Sequence, residues 1–422
     1  MVNCIIGSGV FGLPSVISAL VGSASPFAWL FAAAGTGLVM ACFAEVSSRF
    51  EHSGGVYLYT RTAFGRAAGI TIAWFGWLTR LTAAAANANL FVIYLAEFWP
   101  PVKTPFFRFL VLTLLLGFLA IVNYIGVRRG TTLSNVFTAA KLLTLGGFIL
   151  AGLLFLGLKH HPLIISSPAG PSGNWLHAVL LLMFAYGGYE TALMLGGEAK
   201  NPRRDYPLAL FAALAVCTLV YTMTQWIIVS VLPQSSMTDR PMATAVQLML
   251  GPWGAGIVSI GVLISCYGYL SANILGFPRI LFAQAEQGDM PSKLASVHST
   301  FRTPHIAIVI FAVCLWGFSL IGSFQWNVTI SAMARLVYYG TVCAALPVLR
   351  RKAAMPSAAF HLPMGDVFAV LAVGVSLLLF PRLHKPDAWV LGGLAALVLV
   401  NTFWAMRSAR KSETQGQAAP PK

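Results

Sequence analysis

The stretches Ile5-Ile6-Gly7-Ser8-Gly9-Val10-Phe11-Gly12-Leu13-Pro14 and Phe184-Ala185-Tyr186-Gly187-Gly188-Tyr189-Glu190-Thr191 each interrupt an otherwise apolar segment. In bilayer hydrocarbon no water satisfies backbone N–H and C=O groups, so irregular backbone is tolerated only where it is buried in protein or lines a cavity. Paired breaks in the two halves of a helical membrane chain are the strongest sequence pointer to a solute site near the midplane.

The rest of the chain fits that setting. Of 422 residues, 58% are hydrophobic and 9% are charged, whereas soluble domains carry about 25% charged residues. Twelve apolar segments are expected, near residues 1–22, 26–48, 67–98, 106–127, 131–157, 174–198, 206–232, 251–284, 304–323, 327–349, 365–381 and 386–406. They are too long and continuous for membrane barrel strands, which alternate over about ten residues. The net charge of +15 is no nucleic-acid signature, because 18 of the 27 Lys and Arg fall on one side of this topology. That bias places both termini in the cytoplasm of a multi-pass protein. All six cysteines lie in apolar segments, which offers neither a disulfide framework nor a zinc spacing. The start lacks the basic region of a cleavable signal peptide.

The fold class expected is all-α integral membrane, with about twelve transmembrane helices. Segments 1 and 6 carry the breaks and segments 3 and 8 are both unusually long, so features recur after five helices. An odd number of crossings turns the second set over, giving a five-plus-five inverted repeat. Residues 1–157 form the first repeat, 174–350 the second, 365–407 two appended helices, and 408–422 a polar, disordered cytoplasmic tail. Only six residues precede Gly7, about 9 Å of helix at 1.5 Å per residue. The first repeat is therefore expected to be N-terminally short, which bears on the inner gate more than on the solute site.

Gly7-Ser8-Gly9-Val10-Phe11-Gly12 fits the dinucleotide pattern G-x-G-x-x-G, but no strand precedes it and no acidic residue follows at the required distance. The underlying physics still transfers, because glycines let N–H groups at a helix N-terminus approach an anion. The competing reading is close helix packing by small residues. In segment 6, Gly187 and Gly188 free carbonyls that can accept from a cation. Glu190 is the only carboxylate deep in a segment, and there it must be paired or protonated. Lys141 is flanked by apolar turns that prevent its amine from reaching water, so it is either a static cation or a proton switch. Arg80 shares one helical face with Ala84, Asn87, Phe91 and Tyr94, and offers a partner for Glu190 or for a second substrate carboxylate. Arg335 presents the same ambiguity, with pairing favoured.

Four elements occur in order: Gly7-Ser8-Gly9-Val10-Phe11, Gly54-Gly55-Val56-Tyr57, Gly188-Tyr189-Glu190 with its Lys200-Asn201-Pro202-Arg203 loop, and the connection from Arg279 to Pro304. Over roughly residues 3 to 350 this set resembles the amino acid–polyamine–organocation transporters. The resemblance implies the inverted-repeat fold, alternating access, and an amino acid or related amine as the small-molecule partner. It implies substrate contacts at Ile5, Ser8 and Gly9, at the aromatic gate position Phe184, at Gly187 and Glu190, and at Asn273, Ser331 and Tyr339. It also implies coupling or gating by Lys141, Glu190 and Arg80, with protons as a second partner.

The pocket reads as fitted to a neutral, apolar side chain, with Arg80 leaving an acidic substrate open. Uptake, export and exchange are all compatible with the sequence, as are a polyamine or acidic amino acid exchanger and a non-transporting sensor or partner subunit of the same fold. The expected location is the plasma (inner) membrane of a bacterium, within the lipid bilayer. No cofactor, metal or nucleic acid is expected and no enzyme constellation is present; oligomeric state is not legible.

Overall fold

Backbone groups in an apolar run can be satisfied only by helix or closed sheet, and this chain takes the first solution. In a computed structural model the chain is described over residues 2–50, 55–126, 130–158, 174–194, 202–232, 238–352, 356–380 and 385–417, and among these there is no strand. Segment 1 is split into α1 (Val2–Ile5) and α2 (Gly9–Val21), and segment 2 is α3 (Ser25–Ser47). Then come α4 (Gly55–Phe64), α5 (Arg66–Leu95), α6 (Pro105–Ile125) and α7 (Gly130–Leu158). Segment 6 is split into α8 (Asn174–Ala185) and α9 (Tyr189–Met194), followed by α10 (Pro202–Val231) and α11 (Pro241–Leu250). The remainder is α12 (Pro252–Glu286), α13 (His305–Ile321), α14 (Phe324–Arg351), α15 (Gly365–Leu379) and α16 (Lys385–Gln417). Proline stands in the first turn of α3, α6, α11 and α12, where its missing N–H has no intrahelical role.

Among the described residues seven stretches are long and apolar enough to cross a bilayer, α2 and α3 forming one continuous stretch, and three further apolar helices are shorter. Within the apolar window of α6 only 17% of residues are buried, against 67% in α14. A helix that is apolar yet exposed has lipid as its solvent, so α6 belongs to the rim and α14 to the interior. The innermost position is shared with α5, which packs against α4, α12, α13, α14 and α16.

Two elements depart from the sequence reading. The stretch after segment 2 is helix α4 from Gly55 on, not a loop, and its counterpart α11 had no sequence signal long enough to register. The polar tail expected to be disordered from residue 408 continues α16 as far as Gln417. Ser408-Ala409-Arg410-Lys411-Ser412-Glu413 supplies enough helix formers to propagate an established helix beyond the apolar run. Glu51 to Gly54, the 195–201 part of the loop after segment 6, and residues 418–422 lie outside the described residues.

The packing pairs up across the two halves. Helix α4 packs on α3, α5, α9 and α14, and α11 packs on α10, α12, α2 and α7. Exchanging the two halves, so that each segment is replaced by the one five away in the other half, turns each partner of α4 into a partner of α11. The same exchange relates α5·α14 to α12·α7, and α5·α13 to α12·α6. Ion pairs at the helix ends accompany this: Arg61 in α4's last turn pairs with Asp289 beyond α12, and Arg240 before α11 pairs with Glu97 beyond α5.

One buried amide ties three helices together. Gln225 Oε1 accepts from Trp29 Nε1 at 3.0 Å, and its Nε2 lies 2.8 Å from Ser25 Oγ, 3.0 Å from Ser18 Oγ and 3.2 Å from the Pro14 carbonyl. Gln225→Leu should lower stability by about 1–3 kcal/mol, because the Trp29 indole and the Pro14 carbonyl lose their partner without water to replace it. Thermal unfolding in detergent checks this; an unchanged midpoint removes Gln225 as a structural tie.

Candidate functional site

The two breaks touch. A Cβ on Gly9 would stand 2.6 Å from the Ala185 Cβ, and a Cβ on Gly188 would overlap the Cys4 carbonyl oxygen. Gly188 also has φ +116°, a conformation that side-chain-bearing residues rarely adopt. Glycine at these points brings the start of α2 and the end of α8 into backbone contact near the centre of the bundle.

At the first break Ile6, Gly7 and Ser8 leave the helical ladder, and Ser8 caps α2, its carbonyl accepting from the Phe11 and Gly12 amides. The Gly9 and Val10 N–H groups that precede them in α2 have no intrahelical acceptor. The Ser8 hydroxyl is buried at 1% exposure and without a partner. On the other side of the same break, Lys141 Nζ donates to the Ile6 carbonyl at 2.5 Å and to Asn3 Oδ1 at 3.2 Å. The Ile5 carbonyl accepts from the Tyr221 hydroxyl at 3.2 Å. Segment 1 is therefore held by α7 and α10 through its Ile5 and Ile6 carbonyls.

The second break is organised around Glu190, which is fully buried. Its Oε1 lies 2.8 Å from Arg80 Nη2 and 3.5 Å from Arg335 Nη2. The Arg80 contact is a close charge pair whose N–H is not aimed at the oxygen. Its Oε2 accepts from the Gly188 amide at 2.8 Å and from the Tyr339 hydroxyl at 3.2 Å. The carboxylate thus caps the unwound turn that precedes it while facing two guanidiniums. Arg80 rests over the Phe277 ring, its guanidinium carbon 5.1 Å from the centroid, a cation–π contact strengthened by the absence of water.

The carbonyls at the second break are already engaged, that of Phe184 accepting from the Gly187 amide at 3.2 Å as well as from Arg335. Arg335 Nη1 donates to the Phe184 carbonyl at 2.9 Å and approaches that of Met183 at 3.4 Å. The Ala185 carbonyl accepts from Tyr221 at 3.2 Å. A side chain on Gly187 would overlap the Arg335 guanidinium, so the glycine gives Arg335 its seat. The Phe184 ring lies beneath that guanidinium, 5.8 Å from centroid to carbon.

Of the residues expected from the sequence, Ile5, Ser8, Gly9, Phe184, Gly187, Glu190, Arg80, Lys141 and Tyr339 converge on the two breaks. Ser331 is turned to another use: its hydroxyl donates to the Thr79 carbonyl at 2.8 Å and pins α14 to α5. Asn273 returns its amide to the Tyr269 carbonyl at 2.8 Å, leaving a buried Oδ1 without a partner. On the Arg80 face of α5, Tyr94 reaches α2 and donates to the Phe11 carbonyl at 3.0 Å. Tyr221 was not foreseen, because a tyrosine in an apolar segment carries no mark of the two carbonyls it bridges.

From Arg80 a cavity of about 30 Å³ leads between α5, α12 and α14 towards α4; Thr79, Phe277, Gln284, Tyr338 and Tyr57 are among its lining. At its outer end Asp289 binds Arg61 at 2.8 Å and Arg66 at 2.6 Å, and accepts from the Tyr57 hydroxyl. Burial and the Asp289 charge push the Tyr57 phenol up to about 12, so it remains a donor across the physiological pH range. Among the described residues no cluster of His, Cys, Asp and Glu is able to hold a metal ion.

Comparison with known proteins agrees with this architecture. The family model described as amino acid permease matches residues 1–414. A serine/threonine exchanger of Bacillus subtilis is 27% identical over 98% of this chain and 95% of its own length. A branched-chain amino acid permease of the same organism is 27% identical over 94% of this chain and 90% of its own. The human Asc-type amino acid transporter 1 is 26% identical over 96% and 80%. These are membrane transporters and not enzymes, and this multi-span chain belongs to the amino acid permease family.

Proposed function

We propose that the protein carries amino acids across the plasma membrane by alternating access, with the substrate held where the two broken helices meet. The observation that carries this is the pair of abutting breaks, with the start of α2 at Gly9 against the end of α8 at Ala185 and an unpartnered, buried Ser8 hydroxyl beside the contact. The substrate α-carboxylate takes the Ser8 and Gly9 N–H groups, where the helix N-terminus favours a negative charge. The ammonium takes carbonyls of segment 6, and Phe184 closes over it. The paired packing of α4 with α11 and of α5 with α12 supports twelve crossings built on an inverted five-plus-five repeat. In such a repeat one half rocks against the other around a fixed site, and the Asp289 and Glu97 ion pairs are then latches at opposite faces.

Lys141 supplies the coupling. Charged, it donates to the Ile6 carbonyl and Asn3 and holds the first break closed; neutral, it releases them. Lys141→Ala should abolish the response of uptake to an imposed proton gradient while leaving exchange of internal for external substrate. Proteoliposomes loaded with labelled amino acids, with and without a pH step, measure both. Full proton dependence in Lys141→Ala rules out the coupling role, and absence of flux for every amino acid by folded protein rules out the transport reading itself.

A further inference from the structure

We infer that Arg335 is a specificity-determining residue and that the site is built for an amino acid of net negative charge, one with a second carboxylate on its side chain. The inference rests on the amino acid transport proposed for this site and names its substrate class.

Two guanidiniums share one carboxylate here. Arg80 and Arg335 are 5% and 2% exposed, and Glu190 is fully buried, so the group carries a surplus positive charge shielded from bulk solvent. An unpaired charge in such a place costs several kcal/mol, and a protein retains one where a ligand completes the pairing. Arg335 is the less satisfied of the two. Its Nη2 is 3.5 Å from Glu190, its Nε is buried without a partner, and its Nη1 rests on the carbonyls of Phe184 and Met183.

Those carbonyls are the ones a substrate ammonium needs. A guanidinium seated there excludes the ammonium unless something draws it off, and a neutral side chain offers nothing to do so. A side-chain carboxylate does. It attracts Arg335 from the end of α8, the substrate ammonium takes the released Phe184 carbonyl, and one cation replaces another at the break. A neutral amino acid would leave Arg335 displaced and unpaired, and a cationic one would add a third positive charge. Discrimination then comes from the penalty on the wrong substrate as much as from attraction of the right one.

The test is competition for labelled L-glutamate uptake in proteoliposomes at fixed internal substrate. L-aspartate and L-glutamate should compete at least tenfold better than L-glutamine and L-leucine, with L-arginine weakest; N-acetyl-L-glutamate, lacking the ammonium, should compete at least tenfold worse than L-glutamate. Arg335→Gln should bring the acidic-to-neutral ratio close to one by losing acidic substrates, and Arg335→Lys should keep part of the preference. Wild-type protein that transports neutral or cationic amino acids in preference to acidic ones overturns the substrate class while leaving the transport reading in place. An unchanged ratio in Arg335→Gln overturns the role of Arg335. If Arg335→Gln does not fold, the wild-type panel and Arg335→Lys still decide. Folded wild-type protein that moves no amino acid overturns the transport reading and this inference together.

Discussion

Glu190→Gln should be among the most damaging single substitutions in the protein, lowering stability by about 3–5 kcal/mol, the usual consequence of removing one partner of a buried ion pair. The substitution keeps shape and volume, and the amide oxygen can still accept from the Gly188 N–H and the Tyr339 hydroxyl. What it removes is, among the described residues, the only negative charge paired with Arg80 and Arg335. Two guanidiniums then face each other's field in the buried interior. Arg335 keeps the Phe184 and Met183 carbonyls, whereas Arg80 keeps only the Phe277 ring beside it. The loss should therefore fall mainly on the Arg80 pairing. Adding Arg80→Gln to Glu190→Gln should recover part of it, with a coupling of about 1–3 kcal/mol across the double-mutant cycle. Thermal unfolding of purified protein in detergent, with monodispersity as a second readout, measures all four corners. Strictly additive losses would mean that Arg80 and Glu190 are neighbours without being partners.

The breaks were legible because their signal is chemical: glycine, serine and a carboxylate inside hydrocarbon contradict their surroundings. The same contradiction marked Lys141 and Arg80, whose partners the structure supplies at Ile6 and Glu190. Arg335 was visible as a misplaced charge, yet its seat was not, because backbone carbonyls have no letter in the sequence. Tyr221 and Ser331 were obscured for the same reason, each bonding to main chain of a distant helix. The short helices α4 and α11 escaped notice because ten residues are too few to span a bilayer and their register is set by packing against neighbours. Their matched partners in turn give the repeat a support that the weak likeness between the two halves of the sequence does not.

Gly188→Ala should abolish transport and destabilise the protein, and a second glycine separates the two causes. Gly188 has φ +116°, where holding a non-glycine residue costs about 1–3 kcal/mol. Its Cβ would also overlap the Cys4 carbonyl oxygen and lie 2.9 Å from the Cys4 carbonyl carbon, atoms of backbone that have no rotamer with which to yield. Relief requires α1 to move away from the second break. That shift displaces Ile5 and Ile6, whose carbonyls Tyr221 and Lys141 hold, and turns the Gly188 N–H away from Glu190. One added methyl group thus acts on both breaks, on the coupling lysine and on the central carboxylate. Gly65, at the start of α5, has φ +92° but nothing within 4 Å of an added Cβ. Gly65→Ala bears the backbone strain alone and should retain most uptake with a modest fall in unfolding temperature. If Gly188→Ala matched Gly65→Ala in both uptake and stability, contact between the broken helices would not be what holds the site together.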